Sequence, residues 1–197
     1  MQLGHLRSQL MRRTVSQRCR QADRLRPVVI GLLLCLVCYE LGWAQTDRYE
    51  PSYQNPTGRE IVAVFISSSF CRGGQKPEVK AAVEDIKVLL SAWARENGAA
   101  FRVVGVSLDW QTDVGFNYLN AVGAFDEVLV GSNWYGLGAE RFIFSDTARA
   151  IIPQMRVYEH EISDQGRWTQ FTELALLKRI IGSDAIIEWA ADGAPVP

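Results

Sequence analysis

Beyond residue 44 the chain keeps a single cysteine, Cys71, and a single histidine, His160. One thiol cannot close a disulfide inside a domain, so stability has to come from a packed core. One histidine, with no G-x-S-x-G elbow around any serine, leaves no serine-hydrolase arrangement. A metal site would need more than one histidine with distant carboxylates, so neither a metal nor a cofactor is expected. An excess of positive charge is also missing. Of the 21 lysines and arginines, seven (Arg7, Arg12, Arg13, Arg18, Arg20, Arg24 and Arg26) lie in residues 1–44 beside Asp23 and Glu40, leaving 14 basic against 20 acidic groups in residues 45–197, a net of −6. Such a stretch is a poor nucleic-acid binder, because contacts to phosphate supply most of that affinity. With 48% apolar and 22% charged residues the composition is that of a globular protein, not of a disordered or multi-span chain. One domain of about 150 residues fits the length.

Long apolar runs are scarce too: there is one, from Val28 to Tyr39. It follows the arginine-rich stretch and precedes Glu40-Leu41-Gly42-Trp43-Ala44, which is the basic, apolar, small-x-small layout of a secretory signal with cleavage after Ala44. As a helix the run would measure only about 18 Å against a hydrocarbon core of about 30 Å. Residues 1–44 are therefore expected to export the protein to a periplasmic or extracellular space. The alternative is a membrane anchor over residues 28–43, the one place where membrane contact is expected. Residues 45–58, with Pro51 and Pro56, read as a linker, and residues 59–197 as the folded domain.

Within that domain Glu60–Ser67 is an apolar, β-branched run bounded by Gly58 and a serine cluster, which predicts a buried strand. A turn-rich loop, Ser67–Lys76, follows. Pro77 opens a helix whose Val79, Val83, Ile86, Leu90 and Trp93 form one apolar stripe and which Asn97-Gly98 ends. Phe101–Asp109 predicts a second buried strand, residues 111–122 a helix with Val114, Tyr118 and Ala121 inward, and Glu127–Gly131 a third strand. After a connector with one short helix across 138–145, Pro153–His160 predicts a fourth strand, and Asp164-Gln165-Gly166 a hairpin into a returning strand, Arg167–Phe171. Thr172 is placed to cap a last helix carrying Leu174, Leu177 and Ile181, with a further helical turn over 185–190. This order describes an α/β sandwich with a central mixed sheet of four to five strands flanked by helices.

Three landmarks in that order carry a family resemblance: Ile61–Ile66 leading into Ser67–Cys71; Val103-Val104-Gly105-Val106-Ser107-Leu108-Asp109; and Ile151-Ile152-Pro153-Gln154-Met155 followed by a strand and the Asp164-Gln165-Gly166-Arg167 turn. Across about 60–182 the chain resembles the thioredoxin-like superfamily, in particular its exported redoxin-type branch. The resemblance implies a thioredoxin-like sandwich and a redox loop facing a cis-proline, Pro153. It matches the family's C-x-x-C signature to Cys71-Arg72-Gly73-Gly74, so that the attacking cysteine is kept and the resolving one is replaced. The residues it brings to a site are Cys71 as nucleophile, with Ser69, Arg72, Gly73, Ile152 and Pro153 around a substrate. The partners it implies are a protein thiol or disulfide, or an external reductant.

The loop chemistry cuts both ways. A thiolate beside Arg72 and near a helix amino terminus would be stabilised by charge and dipole. Yet Pro77, six residues on, is the better helix start, and the dipole fades beyond a turn. Val64 stands where the family usually places a buried acid. Without a second thiol the domain cannot release a mixed disulfide by itself. Cys71 thus reads either as a packed thiol at a loop base or as a reactive monothiol. Asp109, at a strand's carboxyl end where α/β sheets bind ligands, reads as a loop cap or a ligand contact, Ser67–Ser69 as turn formers or donors to a ligand, and His160, alternating with Glu159 and Glu161, as a solvated strand residue. Trp134-Tyr135 reads as core or as an exposed patch. Two functions follow from different classes: a binding or accessory module of the cell envelope without turnover, or a monothiol disulfide or peroxide reductase.

Overall fold

The first strand carries apolar side chains at successive positions, which only a sheet covered on both faces can hide. In the computed structural model, which describes residues 48–52, 57–145 and 150–197, that strand is β1 (Gly58–Ser67), and every residue from Glu60 to Ser67 is buried. It lies at the centre of a six-stranded sheet. On one side it pairs in parallel with β2 (Ala100–Ser107), which pairs in parallel with β3 (Glu127–Leu129). On the other it pairs antiparallel with β4 (Gln154–Asp164), whose far edge carries β5 (Thr169–Phe171) and β6 (Ala175–Ile181), both antiparallel. The expected export segment, residues 1–44, lies outside the described residues.

Side chains alternate between two cores, as strand geometry requires. Ile61, Ala63, Phe65, Val103, Met155 and Val157 face the helices α1 (Pro77–Glu96), α2 (Thr112–Val122) and α3 (Ser183–Ala191), meeting Val83, Ile86 and Leu90 of α1, Leu119 of α2 and Ile186 of α3. Val62, Val64, Ile66, Val104 and Val106 face the opposite way, onto Ala139, Phe142 and Ile143. The two parallel crossovers run in one direction along the sheet, so right-handed connection puts α1 and α2 on the same face. The second face is covered by a helical connector, a 3-10 turn at Asn133–Tyr135 followed by short turns over Leu137–Phe144. This is an α/β sandwich with a mixed sheet.

Helix α1 starts at Pro77, whose missing N–H costs nothing at a first turn, and ends where Asn97 Nδ2 donates to Trp93 O at 2.8 Å and Gly98 takes φ +66°. Helix α2 buries Tyr118 as its pattern predicts, but Val114 is only half-buried and Ala121 is exposed; Gly115, Leu119 and Val122 take the inner positions. Tyr49, upstream of β1, is buried: its ring meets Phe101 edge-on at 5.6 Å and its hydroxyl donates to Asp126.

Three expectations are corrected. Residues 174–181 are not a helix. Thr172 Oγ1, assigned to a helix cap, accepts from Glu161 N of β4 at 2.8 Å instead, and Ala175–Ile181 extends as β6. The spacing of Leu174, Leu177 and Ile181 satisfies a helical stripe, but the open edge of β4 would otherwise leave backbone donors and acceptors unpaired, and those decide. The residues 185–190, expected as one turn, belong to a full helix, α3. His160 is also not solvated. It is buried, its Nε2 lies 2.6 Å from Glu60 Oε2, and its ring stacks on Phe171 at 5.8 Å. Glu60, itself buried, also accepts from Arg102 Nη2 at 2.7 Å, so two donors offset the cost of removing its carboxylate from water.

Candidate functional site

The carboxyl ends of β1 and β2 and the amino end of β4 meet at one rim, because Ile66 pairs with Gln154 and Ser67 with Ser107. The loop Ser68–Lys76 leaves β1 there and is folded by its own backbone: Cys71 N donates to Ser68 O at 3.2 Å and Gln75 N to Cys71 O at 3.1 Å. Cys71 is consequently held at the rim, partly exposed. Its Sγ lies 3.5 Å from Ile152 O, an acceptor for the thiol proton, while Gly74 N–H donates to Sγ at 3.4 Å. Pro153, buried and following a cis peptide bond, sits beside Gly73, where an added Cβ would come within 3.2 Å of Pro153 Cδ. The structure thus brings Cys71, Gly73, Ile152 and Pro153 together from segments about eighty residues apart in sequence.

Ser69 and Arg72 do different things. Ser69 donates through N (3.0 Å) and Oγ to the buried carboxylate of Asp109, which also accepts from Ser107 Oγ. Asp109 is therefore the post that ties the loop to the end of β2. Arg72 is exposed. Three neighbours that the family comparison did not point to complete the site. Ser183, at the start of α3, lies so close to Gly73 that a Cβ there would come within 2.9 Å of its Oγ. Lys76 Nζ reaches Asp184 Oδ1 at 3.1 Å, joining the loop's end to α3. Tyr118 of α2 donates to Gly74 O at 3.0 Å from beneath the loop. Among the described residues no group of acidic, histidine and cysteine side chains is arranged for a metal.

Burial pushes the Tyr118 hydroxyl up to about 12; the neighbouring Ser67 hydroxyl opposes this, and electrostatic interaction with Cys71 and Asp109 reinforces it. The folded state thus keeps a proton that the unfolded chain gives up above about pH 10, its ordinary value. This contribution to stability is fully present below about 10 and is lost as pH rises through about 12. Tyr118→Phe is expected to flatten the alkaline fall in thermal stability over that window by about 2 kcal/mol, an estimate from the size of the shift. Melting curves of both proteins across the window check it, and superimposable alkaline profiles would count against the assignment.

The rest of the rim is apolar and exposed. Trp110 and Tyr135 are 66% and 85% exposed, with ring centroids 6.1 Å apart, so Tyr135 answers the question left by Trp134-Tyr135 as a surface group, while Trp134 packs on the second core. Phe70 and Ile151 are exposed beside Cys71 and Ile152. Tyr135, Trp110 and Phe70 follow β3, β2 and β1 and Ile151 precedes β4, so all four belong to the segments at that end of the sheet.

No family model matches the chain, and no curated protein matches it. One solved structure that it is similar to is BsSco, described as a member of the Sco family of cytochrome c oxidase assembly proteins and as holding a disulfide switch. The two are 16% identical with a TM-score of 0.34, over 68% of this chain and 80% of that one. A likeness of that size carries no functional information, which has to come from this chain's own geometry.

Proposed function

We propose that residues 59–197 form an exported thioredoxin-fold module that binds a partner polypeptide in the cell envelope and does not turn thiols over. The observation that carries this reading is the rim: one cysteine, set against the Ile152 carbonyl and flanked by exposed Phe70, Trp110, Tyr135 and Ile151. Exposed apolar side chains of this kind suit association, since their removal from water is favourable. Export rests on the layout of residues 1–44; no described helix is long and apolar enough to cross a membrane. Fusing residues 1–58 to a reporter that is active only outside the cytoplasm tests it.

The second reading is favoured by one contact, the Gly74 N–H directed at Cys71 Sγ, because a donor there stabilises a thiolate. The Cys71 thiolate would attack one sulfur of a disulfide and the other would leave as a thiolate and take up a proton. Two external thiols would then remove the bound half and reduce Cys71, becoming a disulfide themselves. The Ile152 carbonyl opposes it, since an acceptor favours the protonated thiol. Steady-state reduction of a chromogenic disulfide and of hydrogen peroxide, with glutathione as reductant, separates the two. Above the rate given by glutathione alone, the module is expected to add no sustained consumption of disulfide or peroxide. Sustained turnover that disappears in Cys71→Ser would make the protein an enzyme.

A further inference from the structure

We infer that the domain over residues 59–197 is held in its single-thiol state by a hydroxyl plug: Ser67 and Tyr118 fill the seat beside Cys71 that any side chain at position 74 would need. This deepens the reading above and rests on it only in taking Cys71 as the rim thiol. Gly74 N lies 3.4 Å from Cys71 Sγ, so a side chain at position 74 would start next to that sulfur. No room exists for it. A Cβ at Gly74 would overlap Ser67 Oγ, come within 2.7 Å of the Tyr118 hydroxyl and lie 3.2 Å from Ser67 Cβ.

Both neighbours are enclosed by the core. Ser67 is fully buried at the last position of β1, where its backbone carbonyl accepts from Leu108 N at 2.9 Å. Tyr118 is buried in the core shared by β1, α1 and α2 and is held by its bond to Gly74 O. In a close-packed interior, such an insertion forces side chains off their rotamers or shifts the backbone. Gly58, Gly98 and Gly166 have nothing within 4 Å of an added Cβ, whereas Gly115, Gly123, Gly136 and Gly138 are crowded as Gly74 is; what sets Gly74 apart is that its crowding lies beside the Cys71 sulfur. One substitution at position 74 therefore adds a second thiol only by displacing Ser67 or Tyr118. A mixed disulfide formed at Cys71 has to be resolved by a thiol from outside residues 45–197.

The test compares Gly74→Ala, Gly74→Cys, and Gly74→Cys combined with Ser67→Ala and Tyr118→Phe, with the Ser67→Ala/Tyr118→Phe background as control. Each cysteine variant is equilibrated with glutathione disulfide and reduced glutathione, and the 71–74 disulfide is counted by mass spectrometry after alkylation. Gly74→Ala is expected to melt about 5 °C below wild type. The equilibrium constant for the 71–74 disulfide is expected to be at least about tenfold larger in the triple variant than in Gly74→Cys. Equal pairing in the two, or a Gly74→Ala protein that melts with wild type, overturns the plug. If Gly74→Cys fails to fold, the Gly74→Ala melt still decides. Sustained turnover by the wild type would end the binding-module reading and leave these outcomes unchanged.

Discussion

Asp109→Ala is expected to cost about 3 kcal/mol of stability and to loosen the Cys71 loop while the sheet stays intact. The magnitude comes from what the carboxylate holds. It is buried, and it accepts from Ser69 N, Ser69 Oγ and Ser107 Oγ, so truncation strands three donors, two of them on the loop. Each charged hydrogen bond of this kind is worth about 1.5–3 kcal/mol, and partial rehydration at the rim recovers some of the loss. The connector hangs on the same corner, since Asn133 N donates to Asp109 O at 3.2 Å and Ser132 N to Trp110 O at 3.4 Å. Those two bonds use the backbone and survive the substitution, which confines the damage to the loop side. Asp109→Asn keeps an acceptor without the charge and should lose about half as much. Denaturant midpoints give the stability. Alkylation of Cys71 under native conditions gives the loop, and is expected to be roughly tenfold or more faster in the alanine variant, because local opening becomes cheaper. An alanine variant whose midpoint matches wild type would show that the post is dispensable.

Much of the frame was legible in the sequence because it is written in local patterns. Strand β1 announces itself by an unbroken apolar run, and α1 by Pro77 and a stripe from Val79 to Leu90. Asp109 could be read as a cap, since it ends a strand and precedes a turn, although its partner Ser69 could not. What stayed hidden depends on contacts that no local pattern encodes. His160 sits between Glu159 and Glu161 like a surface residue, yet it is buried by Glu60, one hundred positions upstream. Strand β6 mimics a helical stripe and is decided by the free edge of β4. Tyr118 looks like one more inward aromatic of α2. Its role under Gly74 emerges only when α2 packs beneath the loop. Lys87 offered a signal that the stripe reading passed over: it lies four residues after Val83 and three before Leu90, on the apolar face itself.

Lys87 leads to the other large effect, and here the two partners of one ion pair should respond very differently. The Lys87 side chain is fully buried, paired with Glu84 and donating to Ala124 O at 2.8 Å, with Nζ 4.6 Å from the Phe125 ring centroid and 5.7 Å from that of Tyr49. Burial drives its pKa down, and the hydrogen bond and charge of Glu84, with the charge of Asp126, hold it up. Glu84→Ala removes two of those three supports and leaves an ammonium in an apolar surround, an expected loss of about 3 kcal/mol near neutral pH. Lys87→Met removes the charge that needed support and keeps the volume. Glu84, partly exposed, stays hydrated, so the change should lie within about 1 kcal/mol of wild type. The pH dependence separates this account from plain packing loss. A lysine whose folded pKa is depressed penalises the fold below that pKa, because the unfolded chain keeps a proton that the folded one holds poorly. The penalty is relieved as pH rises from the depressed value to about 10.5. The gap between wild type and Glu84→Ala should therefore narrow between neutral pH and about pH 10, below the range in which Tyr118 ionises. A constant gap, or a Lys87→Met protein as unstable as Glu84→Ala, would mean that the buried ammonium is a net source of stability and not a tolerated charge.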